Sequence, residues 1–242
     1  MGNDITITQE NKFLFCESRW TFWALTLAAG MYGAYTYNLR GGVFCNAQTA
    51  NIVLFGMALG KADWKEAAYY LIPISAYLFG TIFSEILAKY VKRFQFLRWD
   101  TILVGFEMIV AFVIGCLPAS VPDQVPQIAF NFICSMQFNT FRQFEGMPMA
   151  TTFCTNHIRQ FGSNLVKYSR HKDDTSLSRI KKHGSLLLMF FAGAVICTVG
   201  CVHIGLKAIW MSCVILLVLF IRLIYADLID EAGQLDRKPK GH

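Results

Sequence analysis

The chain has 242 residues, of which 55% are hydrophobic and 14% aromatic, and its mean hydropathy is +0.41. That is too apolar for one soluble domain, and apolar stretches that run on without alternation favour helices over a barrel. The net charge of +6 does not point to nucleic acid, because the basic residues flank apolar stretches, where orientation in a membrane accounts for them.

The opening Met1–Glu17 is mostly polar and lacks a short apolar core followed by a cleavage site. The apolar run behind it therefore reads as a first transmembrane helix and not a secretory signal. Six stretches approach or meet the roughly 20 residues that span a bilayer core of about 30 Å. They are Trp20–Asn38, Ala67–Ala88, Thr101–Val121, Gln127–Phe144, Ser185–His203 and Ala208–Tyr225. Two polar, glycine-marked inserts interrupt them, Gly41–Gly60 and Gly146–Leu165, each directly after a long apolar stretch. Lipid offers polar groups no partner, so such segments belong where protein encloses a site. Each insert reads as a polar spanning helix, a broken helix or a re-entrant segment.

Charge favours six crossings. With neither insert crossing and both termini inside, only Arg40, Lys61, Lys65 and Lys207 of the 22 Lys and Arg fall outside. Each half then holds three crossings, an odd number, so the second half enters from the opposite face. That makes an inverted-topology repeat with discontinuous segments at matching places. An offset of 106 aligns Thr49 with Thr155, Phe55 with Phe161 and Gly56 with Gly162; an offset of 105 aligns Met31 with Met136, Gly41 with Gly146 and Asn51 with Asn156. The expected fold is all-α: a polytopic membrane helix bundle of six spanning helices plus two polar discontinuous or re-entrant segments. It forms one membrane domain over 1–242, with repeats over 19–121 and 122–227 and a polar tail over 228–242.

Several residues could carry chemistry. Thr49, Asn51, Thr155, Asn156 and His157 could offer hydroxyl, amide and imidazole groups to a solute or cation; helix-packing hydrogen bonds are the alternative. Gln127, Asn131, Ser135 and Asn139 recur every four residues and form one helical stripe, facing either the bundle or a water-filled path. Glu107 lies about 12 Å along its helix from Trp99, a depth at which a carboxylate is costly and functional by default. Its alternatives are protonation or an ion pair with Arg142 or Arg222. For Glu85 a local pair with Lys89 at i+4 is expected. The eight cysteines show no metal-ligand spacing; Cys197 and Cys201 share a helix face and read as a soft-metal pair or as inert buried thiols. No catalytic motif of the HExxH, Walker or GxSxG kind occurs, so neither an enzyme nor a cofactor is expected.

At the inserts, Gly30, Gly33, Ala34, Gly41, Gly42, Val43, Phe44, Thr49, Ala50 and Asn51, and later Asn139, Thr140, Thr151, Thr152, Thr155, Asn156 and His157, carry a family pattern. The chain resembles the YoaK-like family of small bacterial membrane proteins, a domain of unknown function, over most of Ala28–Tyr225. It departs from that pattern at three places. Gly33 stands at the usual Asp, Ala50 at the central Gly, and Asn156-His157 at Gly-Asn. If the family Asp carries a proton or ion, this chain lacks that group. The resemblance implies a multi-pass protein of the bacterial cytoplasmic (inner) membrane.

The functional expectation is a small-solute or ion transporter with a midplane site formed by the two inserts. Thr49, Asn51, Asn131, Asn139, Thr155, Asn156 and His157 would bind substrate, and Glu107 would couple ions. The alternative is a non-transporting scaffold or partner-binding protein with a basic cytoplasmic surface. The expected partners are the bilayer, a small molecule or ion, and anionic lipid at Lys167–Lys182; a homo-oligomer is compatible with the sequence.

Overall fold

The computed structural model describes residues 13–91, 97–235 and 237. The chain is almost entirely helical. After a short 3-10 turn come α1 (Arg19–Leu39), α2 (Gln48–Gly60), α3 (Trp64–Val91), α4 (Trp99–Cys116) and α5 (Gln124–Thr140). A two-stranded hairpin follows, β1 (Gln143–Phe144) against β2 (Met147–Pro148), and then α6 (Thr155–His171), α7 (Asp174–Ile204) and α8 (Trp210–Tyr225). Lys92 and Arg93, which weigh in the charge argument, lie outside the described residues.

Local chemistry sets the helix ends. The side chain of Ser18 accepts from Thr21 N at 3.4 Å to start α1, and Asp173 accepts from Ser176 N at 2.7 Å to start α7. Gly41 and Gly42, with φ of 73° and 70°, turn the chain out of α1; Gly205, with φ of 57°, ends α7. Helix α4 ends before Pro118, earlier than its apolar run suggests, because proline disfavours helical backbone in the residue before it. The run expected to span to Phe144 is helical only to Thr140, and its last residues form the hairpin. Beyond it, the basic Lys167–Lys182 segment is not one loop. It is the end of α6, a turn at Lys172 with φ of 52°, and the first turns of α7.

Three helical stretches among the described residues are long and apolar enough to cross a bilayer: Trp64–Tyr90, Trp99–Cys116 and Asp174–Asp230, the last holding both α7 and α8. Large apolar side chains such as Phe79, Phe112, Phe191, Val202 and Val218 stand more than half exposed on α3, α4, α7 and α8. Gln127, Asn131, Ser135, Gln137 and Glu107 are meanwhile fully buried. A polar interior under an apolar exterior suits lipid and not water. This is a membrane protein.

The packing pairs elements in a matched way. Helix α1 lies against α7 as α5 lies against α3; α2 packs on α3 as α6 packs on α7; α8 touches α1 as α4 touches α5; and α4 meets α8. At the α1–α7 crossing a Cβ on Gly30 would stand 2.1 Å from Phe190 O, and one on Gly193 would stand 2.0 Å from Leu27 O. Backbones can meet this closely only where side chains are missing.

One end of the bundle is closed by buried charge. Arg98 reaches Glu231 at 2.5 Å and Asp227 at 3.8 Å, and its own N–H donates to Asp227 at 3.0 Å. Thr101 also donates to Asp227, and Phe15 N donates to Glu231. These bonds fasten the segment after α8 to the start of α4 and to the residues before α1.

Candidate functional site: two loops on one polar helix

The loop after α1 folds onto α5 through amides. Gln127 donates to Arg40 O at 2.7 Å and to the Tyr69 hydroxyl at 2.6 Å. One turn on, Gln48 at the start of α2 donates to Asn131 Oδ1 at 2.5 Å, while Asn131 donates to Gln127 O at 2.8 Å. Asn46 donates to Ala29 O at 3.0 Å, and Asn51 donates to Phe44 O at 3.2 Å. The thiols of Cys45 and Cys134 meet at 3.8 Å. Two of these bonds, to Arg40 O and Phe44 O, satisfy carbonyls that the irregular approach to α2 leaves open.

The loop after α5 comes to a different face of the same helix. Glu145 and Gly146, with φ of 45° and 76°, form the hairpin turn. Farther on, Gln137 donates to Thr151 Oγ1 at 2.8 Å and to Leu25 O at 3.3 Å. His157 sits 2.8 Å from Ala150 O through Nε2 and 2.8 Å from His183 Nδ1 through its own Nδ1. Asn51 and His157 thus play one part. Each reaches the carbonyl seven residues before it, and both the side chains and the carbonyls are 106 residues apart.

The histidine geometry fixes the tautomers. A carbonyl only accepts, so His157 carries its proton on Nε2 and its bare Nδ1 accepts from His183 Nδ1–H. A second proton on His157 would point at that N–H, and the contact would survive only with the His183 proton moved to Nε2. Burial holds the His157 imidazole below its ordinary range, partly offset by the bond to Ala150 O.

The interior also holds unspent acceptors. Asn51 Oδ1, Gln127 Oε1 and Gln137 Oε1 are buried without a partner among the described residues. Their N and O atoms are assigned by chemistry, since each amide nitrogen donates to a backbone carbonyl. Glu107 on α4 is fully buried, and neither of its oxygens has a hydrogen-bond partner among the described residues. The Tyr32 hydroxyl, also unpartnered, and Cys134 stand within its electrostatic reach. Neither arginine considered for Glu107 serves it. Arg142 pairs with Glu85 at 3.0 Å, and Arg222 pairs with Asp230 at 3.8 Å. Glu85 is thus met by Arg142 and Asn139 at the end of the neighbouring α5. Buried polar atoms without partners are uncommon, and a set made up mostly of oxygen acceptors suits a cation or a solute rich in N–H and O–H.

The expected site residues divide. Asn51, Asn131 and His157 are buried in the polar interior. Thr49 and Thr155 stand exposed in the first turns of α2 and α6, and half-buried Asn156 accepts from Arg159 at 2.9 Å. Asn139, also half-buried, donates to Glu85 at 3.1 Å beside Arg142. The seven are not gathered at one place. Sequence reasoning missed Gln48, Gln137, Tyr32 and His183. Gln137 is off the four-residue stripe, and His183 gave only the weak signal of a histidine at the mouth of an apolar run. Cys197 and Cys201 lie with sulfurs 4.0 Å apart, and among the described residues no group of three or more His, Cys, Asp or Glu could hold a metal.

A family model described as "Protein of unknown function (DUF1275)" matches residues 21–222. The chain belongs to this family. The DUF1275 match takes in all eight helices apart from the first residues of α1 and the last of α8, and so both loops, Glu107 and the histidine pair. No curated protein and no solved structure matches the chain.

Proposed function

We propose that this DUF1275 protein is a permease for a small solute or ion, YoaK-like within its family, in the cytoplasmic membrane of a bacterium. In this reading α1, α3, α4, α5, α7 and α8 cross the bilayer and both termini are cytoplasmic. The parts over 19–121 and 122–227 are inverted repeats. The matched packing of the two halves and the shared role of Asn51 and His157 support the repeat. With 13 residues α2 is about 20 Å long, too short to cross. Helix α6 carries exposed Arg159, Lys167 and Arg170, which lipid would not accept.

The observation that carries the reading is Glu107. An ionised carboxylate in this position, with no cation and no donor among the described residues, is strongly disfavoured. It is stable as the acid, or as the anion with a cation beside it. A group that exchanges a proton for a cation at membrane depth is a coupling device. The amide oxygens of Asn51, Gln127 and Gln137 supply further acceptors in the same interior.

The test is flux in proteoliposomes that hold a pH-sensitive dye, challenged with a panel of monovalent ions and small neutral solutes. Wild-type protein should move at least one of them with a pH-dependent rate. E107Q, which keeps the shape and loses the ionisable group, should melt like wild type and lose that pH dependence. Equal pH-dependent flux in both would remove Glu107 from the mechanism. An absence of flux from every panel member would favour the scaffold alternative.

A further inference from the structure

A recess of about 440 Å³ opens between the start of α1, the hairpin and the first turns of α7. We infer that it binds the head group of an anionic phospholipid. This assignment does not depend on transport.

Depth comes first. Arg19 and Trp23 form the α1 wall, and Trp20, 69% exposed, meets Trp23 edge-on at 5.3 Å. Tryptophan beside arginine at the start of an apolar helix marks the boundary between head groups and acyl chains. On α7, Lys181, Ser185 and Leu188 follow one another at i, i+4 and i+7 and so share a face. Lys181 and Ser185 line the recess, and Leu188, farther along, is 60% exposed. A ligand in the recess therefore has polar groups at one end and an apolar track leading into the membrane at the other. That is the outline of a phospholipid.

Charge then selects the head group. Three cations line the recess, Arg19, Lys181 and Lys182, against two carboxylates, Glu145 and Asp174. Glu145 is engaged by Lys182 at 3.1 Å and by Arg19 at 3.6 Å. Lys181 is exposed and has no ion partner among the described residues. The surplus is one positive charge, which a phosphodiester with one negative charge balances. A choline or ethanolamine head group would add a second cation to a wall that already has an excess of them. Ser178 and Ser185 add hydroxyls on the α7 side; Ser185 already accepts from the Trp23 indole at 2.9 Å, which ties the two walls together. The basic stretch Lys167–Lys182 supplies only its last residues to this site. The opposite wall comes from residues more than 150 positions earlier.

The experiment uses the full chain, purified in detergent and stripped of lipid, with thermal unfolding read against added phosphatidylglycerol, phosphatidylcholine or inorganic phosphate. Phosphatidylglycerol should raise the melting temperature in a saturable way, and the other two should not. K181Q and R19Q should each weaken the apparent affinity about fivefold. K167Q, on α6 and outside the lining of the recess, should leave it unchanged, and K181R should retain it. A response to phosphatidylcholine as large as that to phosphatidylglycerol would overturn the proposal. So would a response reproduced by phosphate alone, or K167Q as damaging as K181Q, since that is the behaviour of a diffuse basic surface. K181Q alters an exposed side chain, so it decides the matter even if R19Q does not fold.

Discussion

Each half of the chain sets one polar side chain on a carbonyl seven residues back, yet one half uses Asn51 and the other His157. The difference makes one loop sensitive to pH. His157 is held below its ordinary range when folded, so the unfolded chain takes up a proton more readily. Stability is therefore fully present above about pH 6.5, the unfolded value, and declines as pH falls toward the folded value. Melting followed from pH 8 to pH 5 should show that decline, and H157N should lessen it. Asparagine can still donate to Ala150 O, as Asn51 does to Phe44 O, and can accept from His183. H157A leaves both partners bare and should cost about 1–3 kcal/mol at neutral pH. At this scale Asn51, Asn131, Glu107 and His157 were legible, because a polar residue in an apolar run stands out. Gln48 and His183 were not, since what marks them is a partner 83 or 26 residues away. Thr49 and Thr155 aligned well with each other, but alignment carries no information about which way a first-turn side chain points.

Among the elements, the six apolar stretches were legible as helices, with three helical stretches of the described residues long and apolar enough to span, and the two inserts were legible only as interruptions. Apolar length reports a spanning helix directly. The shape of an insert depends on hydrogen bonds from α5, and these lie outside any local window. The same holds for the hairpin at Gln143–Pro148, whose first strand closes what reads in sequence as the end of an apolar run. Helix crossings depend on contact in the same way. At α1–α7 the atoms facing Gly30 and Gly193 are backbone and cannot swing aside. G30A or G193A should thus push the helices apart and cost about 1–3 kcal/mol, seen as a lower melting temperature. G56A, where nothing stands within 4 Å of the added methyl, should not.

For the molecule as a whole, the six-crossing arrangement predicts sidedness. In a cysteine-free background D123C should react with an impermeant thiol reagent from outside and K172C only from inside. Labelling from the same side would end that arrangement. The charge knot at the Arg98 end makes a separate prediction. R98A leaves Asp227 and Glu231 buried without their cation and should cost about 3–5 kcal/mol, measured by thermal melting. The packing scheme itself bears on how the protein is made. The main partner of α1 is α7, and that of α3 is α5, so a ribosome releases the first half long before its helices can dock. Until then α1 must persist in lipid by its own apolar length, with its glycine face uncovered. A chain cut between Pro118 and Gln124 should therefore yield two fragments that accumulate and co-purify when made together in one cell. Made apart, each should be degraded, because α1 and α3 have their main partners in the second half, and α5 and α7 have theirs in the first.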